Sequence, residues 1–321
     1  MTGMIFISCQ KNQIVATILE INSLSKKYGK IDAVNELNLK IESQMIFGLL
    51  GPNGSGKTTT LGMLLGVIRP SGGEFSWFTN GEKDENRKRI GALLETPNFY
   101  PYLTAVQNLE IVAKIKGMKD SSDRINEVLH IVGLFERRDS AFKTFSLGMK
   151  QRLAIGSALI SDPDVLVLDE PTNGLDPQGI AEIRDLIIEI GKEGKTIIIA
   201  SHILDEIEKT CTHCAILRKG ELLKVGTIDE IIGNKGISLI HVNAENQERL
   251  LEFIQQHAEM SIYKTVENGV IISMPSETTA TDINNLFFKN GIILSELGVF
   301  KETLENQFLQ IVKNHDRINH Y

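Results

Sequence analysis

Residues 51–59 read GPNGSGKTT, directly after the apolar run MIFGLL at 45–50 and directly before the apolar stretch LGMLLG at 61–66. A short continuous apolar run reads as a strand buried on both faces, and this one delivers the chain into a glycine-rich turn and then a helix. The turn matches G-x-x-x-x-G-K-[ST]. Gly51, Gly54 and Gly56 permit backbone angles that aim successive N–H groups into one concavity, and the following helix adds its positive end. Pro52, Asn53, Ser55 and Thr59 complete the loop. A polyphosphate fits such a cradle: Lys57 would reach the β- and γ-phosphates, and the Thr58 hydroxyl would ligate Mg²⁺.

Two further buried-strand runs lie downstream, VLVLD at 165–169 and TIIIA at 196–200, separated by the amphipathic stretch AEIRDLIIEIGKEG. Strand, helix, strand in this order predicts a parallel α/β sheet. Asp169 falls at the carboxyl end of its strand, where such sheets bind ligands, and would hold Mg²⁺ through water. Glu170 would polarise the attacking water as general base, since adjacent strand residues point in opposite directions and can take different roles. His202 follows TIIIAS at another strand end and would donate to the γ-phosphate. These pieces read as a P-loop ATPase.

Upstream, ILEINSL at 18–24 and LNLKIES at 37–43 are strand-like. Helical periodicity takes over at 104–160, where Thr104 and Gln107 have capping-box spacing and Ile125, Val128, Leu129 and Val132 share one helical face before Gly133. This segment is expected to be a helical insert. After about residue 235 the order is ISLIHVNA (strand), NQERLLEFIQQH (helix), SIYKTVENGVIISM (hairpin), TDINNLFFKN (helix), IILSEL (strand) and ETLENQFLQIV (helix). Its β-α-β-β-α-β core resembles a small ferredoxin-like α+β unit. The expected division is an extension at 1–17, an ATP-binding domain at 18–235 and an accessory domain at 236–321.

The 321 residues are enough for two domains, and 42% hydrophobic with 23% charged residues is ordinary for a soluble globular chain. No apolar run approaches eighteen residues and the first residues lack a basic n-region, so neither a membrane span nor a secretory signal is expected. A net charge of −7 without a long basic block disfavours nucleic acid as the main partner. Cys211 and Cys214 form a single CxxC, which reads as a helix end running into a buried strand, because zinc would need two more ligands nearby.

The succession of pieces narrows the reading. Tyr28 in KKYGK precedes the phosphate loop, FSLGMKQR at 145–152 precedes VLVLDE, NGLDP at 173–177 follows it, and His202 comes last. Over residues 18–235 this order resembles the ATP-binding subunit of an ABC transporter. The resemblance implies that Tyr28 stacks on adenine, that Asp176 belongs to a D-loop crossing a dimer interface, and that His202 is the switch histidine. The family's LSGGQ signature stands here as FSLGM: Ser146 and Gly148 remain, while Leu147 and Met149 replace a glycine and a glutamine. Ser146 is also the natural N-cap of the next helix, and a hydroxyl with helix-terminal amides makes an anion site. In the family that site closes on the γ-phosphate held by a second copy, so two chains meet head to tail.

Glu95 falls where the family usually has the glutamine of the Q-loop, near Mg²⁺ and the attacking water. A carboxylate there can ligate Mg²⁺ as an amide oxygen can, with an added negative charge; the alternative is a solvated loop charge. The combination of ETPNFYP with SLGMKQR resembles the export branch that serves bacitracin-type and lantibiotic peptide resistance and, in some bacteria, gliding motility. The resemblance implies ATP and Mg²⁺ as cofactors and a location on the cytoplasmic face of the membrane through a separately encoded permease. The 95–103 loop, with Phe99, Tyr100 and Tyr102, and the start of the helical insert are the surface expected to meet that permease. Relatives acting in DNA maintenance carry long coiled coils between the phosphate loop and VLVLDE, where only about a hundred residues lie here. Ribosome-acting relatives usually fuse two cassettes, and this chain has one. A module without catalysis does not explain Lys57, Asp169, Glu170 and His202 together.

Overall fold

The computed structural model describes residues 16–78, 83–94, 98–233, 237–275 and 278–318. The chain divides into two compact units, Met1–Val225 and Gly226–Tyr321.

The first unit begins with β1 (Thr17–Tyr28), β2 (Ile31–Glu42), β3 (Ile46–Leu50) and α1 (Lys57–Leu64). It continues through β4 (Gly72–Trp77), α2 (Lys83–Lys88) and β5 (Ile90–Leu93) into the helices α3 (Ala105–Ile115), α4 (Ser122–Ile131) and α5 (Leu147–Leu159). It closes with β6 (Val165–Asp169), α6 (Pro177–Lys192), β7 (Thr196–Ser201), α7 (Leu204–Thr210), β8 (His213–Arg218) and β9 (Glu221–Thr227), whose last two residues count with the second unit. The strands form a six-stranded sheet in the order β5-β6-β7-β3-β8-β9 and a three-stranded antiparallel sheet in the order β2-β1-β4.

Every residue of β3, β6 and β7 is buried, as their unbroken apolar runs require. These strands pair in parallel with Leu50 opposite Ser201 and Asp169 opposite Ala200. Their carboxyl ends therefore stop at one edge, and the loops after β3, β6 and β7 leave side by side. Beneath them Leu19, Leu24 and Leu37 of the antiparallel sheet join Phe47, Leu49, Val167 and Ile198 in a single core. Each such side chain contributes roughly 1.5–3 kcal/mol by leaving water. In the helical insert, Thr104 and Gln107 form the reciprocal cap of α3, and Ile125, Val128 and Leu129 are the buried face of α4.

The second unit opens with α8 (Ile228–Ile232), fixed at its start by a Thr227–Glu230 capping box and at its end by Gly233. The sequence pattern placed a boundary near residue 235, whereas α8 belongs with this unit, where it packs against α11 (Leu304–Ile318). Between them run β10 (Ile237–Ala244), α9 (Gln247–Gln256), β11 (Ser261–Val266), β12 (Gly269–Pro275), α10 (Ala280–Lys289) and β13 (Leu294–Phe300). The sheet order is β11-β12-β10-β13 with antiparallel neighbours throughout, which is the ferredoxin-like arrangement. Alternate residues Ile240, Val242, Val270, Ile272 and Met274 face Leu250, Phe253 and Ile254 of α9 and Ile283 and Phe287 of α10 in one core.

Candidate nucleotide site

The loop between β3 and α1 wraps tightly around its own backbone. Gly56 caps α1 at φ 105°, in the left-handed region that glycine alone enters freely. A Cβ there would lie 2.4 Å from the Ala33 carbonyl of β2, and one at Gly51 would lie 2.4 Å from the Leu217 carbonyl of β8. Side chains at either position would push the loop open. Ser55 N–H donates to Pro52 O at 3.1 Å and Gly220 N–H donates to Ser55 O at 3.0 Å, so β8 and β9 brace the cradle from behind.

Lys57 is 5% exposed; its Nζ donates to Gly51 O at 2.7 Å and Pro52 O at 3.3 Å and lies 3.6 Å from Glu170 Oε1. The other carboxylate oxygen, Oε2, is 2.8 Å from His202 Nδ1. Glu170 thus bridges the phosphate-loop lysine and the histidine after β7. It sits at φ 48°, a backbone region that costs a non-glycine residue on the order of 1 kcal/mol or more. Its N–H donates to Ala200 O at 2.9 Å, which continues the β6–β7 ladder one residue beyond Asp169.

Asp169 is 4% exposed at the end of β6, and Thr58 is exposed on the first turn of α1. A hydroxyl and a carboxylate are hard oxygen donors that suit Mg²⁺, an ion that takes one or two protein ligands and completes its shell with substrate phosphates. No cluster of three or more His, Cys, Asp or Glu that could form an all-protein metal cage exists among the described residues, so a substrate-shared Mg²⁺ is the form that fits. Within the cradle the buried hydroxyls of Ser55 and Thr60 meet no hydrogen-bond partner among the described residues.

The other residues named from sequence are placed as follows. Tyr28 is half-exposed at the tip of the β1–β2 hairpin, with Lys26 Nζ 4.9 Å from its ring centre. The same hairpin presents the Ala33 carbonyl to Gly56. Ser146 caps α5, its Oγ accepting from Met149 N–H at 3.3 Å. Leu147 is 47% exposed, and Gly148 has open space where a side chain would project. Asp176 caps α6, its Oδ1 accepting from Gly179 N–H at 2.8 Å. Glu95 lies outside the described residues. Of the aromatics in the following loop, Phe99 packs edge-on to Phe142 at 5.1 Å, while Tyr100 and Tyr102 are 49% and 70% exposed.

Sequence reasoning did not find the residue that fixes that loop. Buried Asn108 accepts from Tyr100 N–H at 2.8 Å and donates to Tyr100 O at 3.2 Å and Thr104 O at 3.0 Å. A polar residue on the otherwise apolar face of α3 is the signal it leaves in the sequence. The CxxC is free thiols: Cys211 and Cys214 are both buried, and burial pushes the Cys214 thiol up to about 12.

Comparison with known proteins points to one family. The ABC transporter family model matches residues 34–173. The bacitracin transport ATP-binding protein BcrA of Bacillus licheniformis is 39% identical over 93% of this chain and 98% of its own length. The lantibiotic transport ATP-binding protein SrtF of Streptococcus pyogenes is 38% identical over 64% of this chain and 89% of its own. Among solved structures, a dimeric ATP-binding cassette in a post-hydrolysis state bound to ADP and Pi superposes with a TM-score of 0.57 at 26% identity, covering 65% of this chain and 98% of that one.

Proposed function

The chain belongs to the ATP-binding subunits of ABC transporters, and on that premise we propose that it hydrolyses ATP to drive a separately encoded permease exporting a peptide, antibiotic or other amphipathic substrate. The observation that carries the chemistry is the meeting of Lys57, Glu170 and His202 within 3.6 Å of one another along a chain of contacts at the mouth of the phosphate cradle.

ATP would lie with its phosphates in the 51–59 loop and its adenine on the exposed ring of Tyr28. Lys57 would exchange its two loop carbonyls for β- and γ-phosphate oxygens. Thr58 and Asp169 would hold Mg²⁺, whose chemistry when bound is to neutralise charge on those oxygens. Glu170 takes a proton from a water whose oxygen attacks the γ-phosphorus. The bond from that phosphorus to the bridging oxygen breaks and its electron pair stays with ADP, leaving ADP and phosphate. His202, oriented through Nδ1 by Glu170, presents Nε2 to the γ-phosphate. Exposed Ser146 and half-buried Gly148, at the start of α5, supply the anion site for the γ-phosphate held by a second copy, and Asp176 holds the turn that crosses between the copies. Closure of that head-to-tail dimer on ATP and its release after hydrolysis move the permease.

The proposed permease-facing surface combines exposed Tyr100 and Tyr102 with a groove of about 360 Å³ that reaches Leu94, just after β5. Leu64, Leu65, Ile90 and Leu94 line it, with Arg87 and Lys116 adding positive charge. Among the described residues no helix is long and apolar enough to cross a membrane. The attachment proposed, through the permease on the cytoplasmic face, follows from the family.

The test is co-purification from gently solubilised native membranes with the Glu170→Gln chain held in ATP. A polytopic membrane protein in stoichiometric amount is expected, and its recovery should fall severalfold in a Tyr100→Ala, Tyr102→Ala double variant. Recovery of ribosomes, DNA or only soluble proteins would overturn the transporter reading.

A further inference from the structure

Behind the Glu170–His202 pair, between α6, α7 and β7, lies a narrow cleft with about 10 Å³ open to the centre of a water molecule, room for one. Pro171, Thr172, Arg184, Ser201, Glu206 and Ile207 line it. Pro171 and Thr172 directly follow Glu170 in the chain, and Ser201 directly precedes His202. The cleft therefore backs both turns of the candidate catalytic pair.

Glu206 is 9% exposed. Its Oε1 lies 3.7 Å from Arg184 Nη1 on α6, while its Oε2 is buried and meets no hydrogen-bond donor among the described residues. A buried polar atom left without a partner is destabilising, so a carboxylate kept there needs something to bind. Burial pushes the Glu206 carboxyl above the ordinary range, with Arg184 opposing the shift. Apolar walls alone would be served better by leucine. Thr172 and Ser201 line the cleft beside apolar Ile187 and Ile199, and the Ser201 hydroxyl accepts from Ile203 N–H at 3.0 Å.

We propose that Glu206 is a positioning residue for ATP hydrolysis. Its free oxygen holds a water in the cleft shared with Thr172 and Ser201, and its other oxygen ties α7 to Arg184 of α6. Glu170 occupies a strained left-handed backbone, and its turn keeps that conformation only when supported from behind. The ion pair also links the helix capped by Asp176 to the helix that starts two residues after His202. Glu206 touches neither nucleotide nor reacting atoms; it sets where Glu170 and His202 stand. This inference rests on the reading of those two residues as the catalytic pair.

The experiment is steady-state ATPase kinetics on the full chain, with ATP affinity and thermal midpoint measured alongside. Glu206→Gln keeps the shape and removes the charge; kcat is expected to fall about tenfold, the scale of a small misplacement of reacting groups, with KM and Kd for ATP within about twofold. The double variant Arg184→Met, Glu206→Leu fills the space and leaves no unpaired charge. It is expected to melt near the parent and still lose about tenfold in kcat. Thr172→Val, which removes a cleft hydroxyl and leaves the ion pair intact, should lower kcat severalfold at constant KM. Parental kcat in any of these folded variants would overturn the proposal, because a merely structural pair would show itself in melting and not in kcat. Glu170→Gln separates this from its premise. Turnover surviving in Glu170→Gln would remove the catalytic assignment, whereas turnover lost there and parental in Glu206→Gln removes the positioning role alone.

Discussion

Lys57 in the first unit and Phe287 in the second are both deeply buried, at 5% and 0% exposure, and they are held in opposite ways. Lys57 is fixed by directed contacts at 2.7, 3.3 and 3.6 Å to two carbonyls and a carboxylate. Phe287 lies among side chains of its core cluster that have no direction to satisfy, with Phe253 as its ring neighbour at 5.0 Å. Around Lys57 the geometry leaves no room for an alternative: Gly51 and Gly56 have carbonyls where a Cβ would sit. Around Phe287 only volume and apolarity are specified, and many residues meet that condition. A binding edge is specified atom by atom, and a supporting sheet is specified by pattern.

The largest effect expected from this contrast is at Lys57. Lys57→Arg keeps the charge but replaces a compact ammonium with a broad planar fork in a site with carbonyls at hydrogen-bond distance. ATP turnover should fall on the order of 10²–10³-fold, the scale of losing one preorganised electrostatic contact, with the thermal midpoint little changed. Turnover within about threefold of the parent would mean that the site reads charge alone, and the contrast would be lost.

The matching experiment in the second unit is Phe287→Leu against Phe287→Ala. Leucine should cost under about 1.5 kcal/mol because the core can repack, and alanine about 3–5 kcal/mol because it leaves a cavity. Hydrogen exchange on the full chain, read at amides of β10 and β12, would measure both. Equal losses in the two variants would show that the aromatic shape itself is specified there, which would make the second unit resemble the first.

The same contrast governs what could be read from sequence. GPNGSGKTT, VLVLDE and the residue after TIIIAS could be put forward as candidates because each proposed role demands one residue type beside one buried strand, and the structure brings those strand ends to one edge. The strands, the hairpin and the last three helices of the second unit could be ordered from periodicity, while α8 fell on the other side of the boundary read from sequence. What pattern could not supply were contacts between distant residues, such as Glu170 with Lys57 and Arg184 with Glu206. Nor did it give β4, in whose sequence GGEFSW only Trp77 is buried; that strand exists through its pairing with β1. The half-buried strand β9 left an equally weak trace. The left-handed backbone of Glu170 has no sequence signal at all, since the chain carries an ordinary glutamate where turn chemistry would favour glycine or asparagine.

Charge at the surface of the first unit should behave unlike the charge on Lys57, and Asp162 tests that. Its side chain is 70% exposed after α5, paired with Lys195 Nζ at 2.8 Å and Arg124 Nη2 at 3.3 Å. The hydrogen bond from Lys195 holds its carboxyl below the usual range, with further help from the charges of Lys195 and Arg124. A carboxyl lowered in the folded state contributes stability that is present above its unfolded value of 3.8 and is lost as pH falls through the folded value. Asp162 sits at φ 49°, a backbone region that asparagine also tolerates, so Asp162→Asn removes charge and little else. Exposed pairs contribute at most about 1 kcal/mol, so the variant should melt about 1–3 °C lower at pH 7, with the gap closing below pH 3.8. A larger gap at neutral pH, or one that persists in acid, would mean that the segment after α5 depends on directed polar contacts as the phosphate loop does, and would extend atom-by-atom specification well beyond the nucleotide edge.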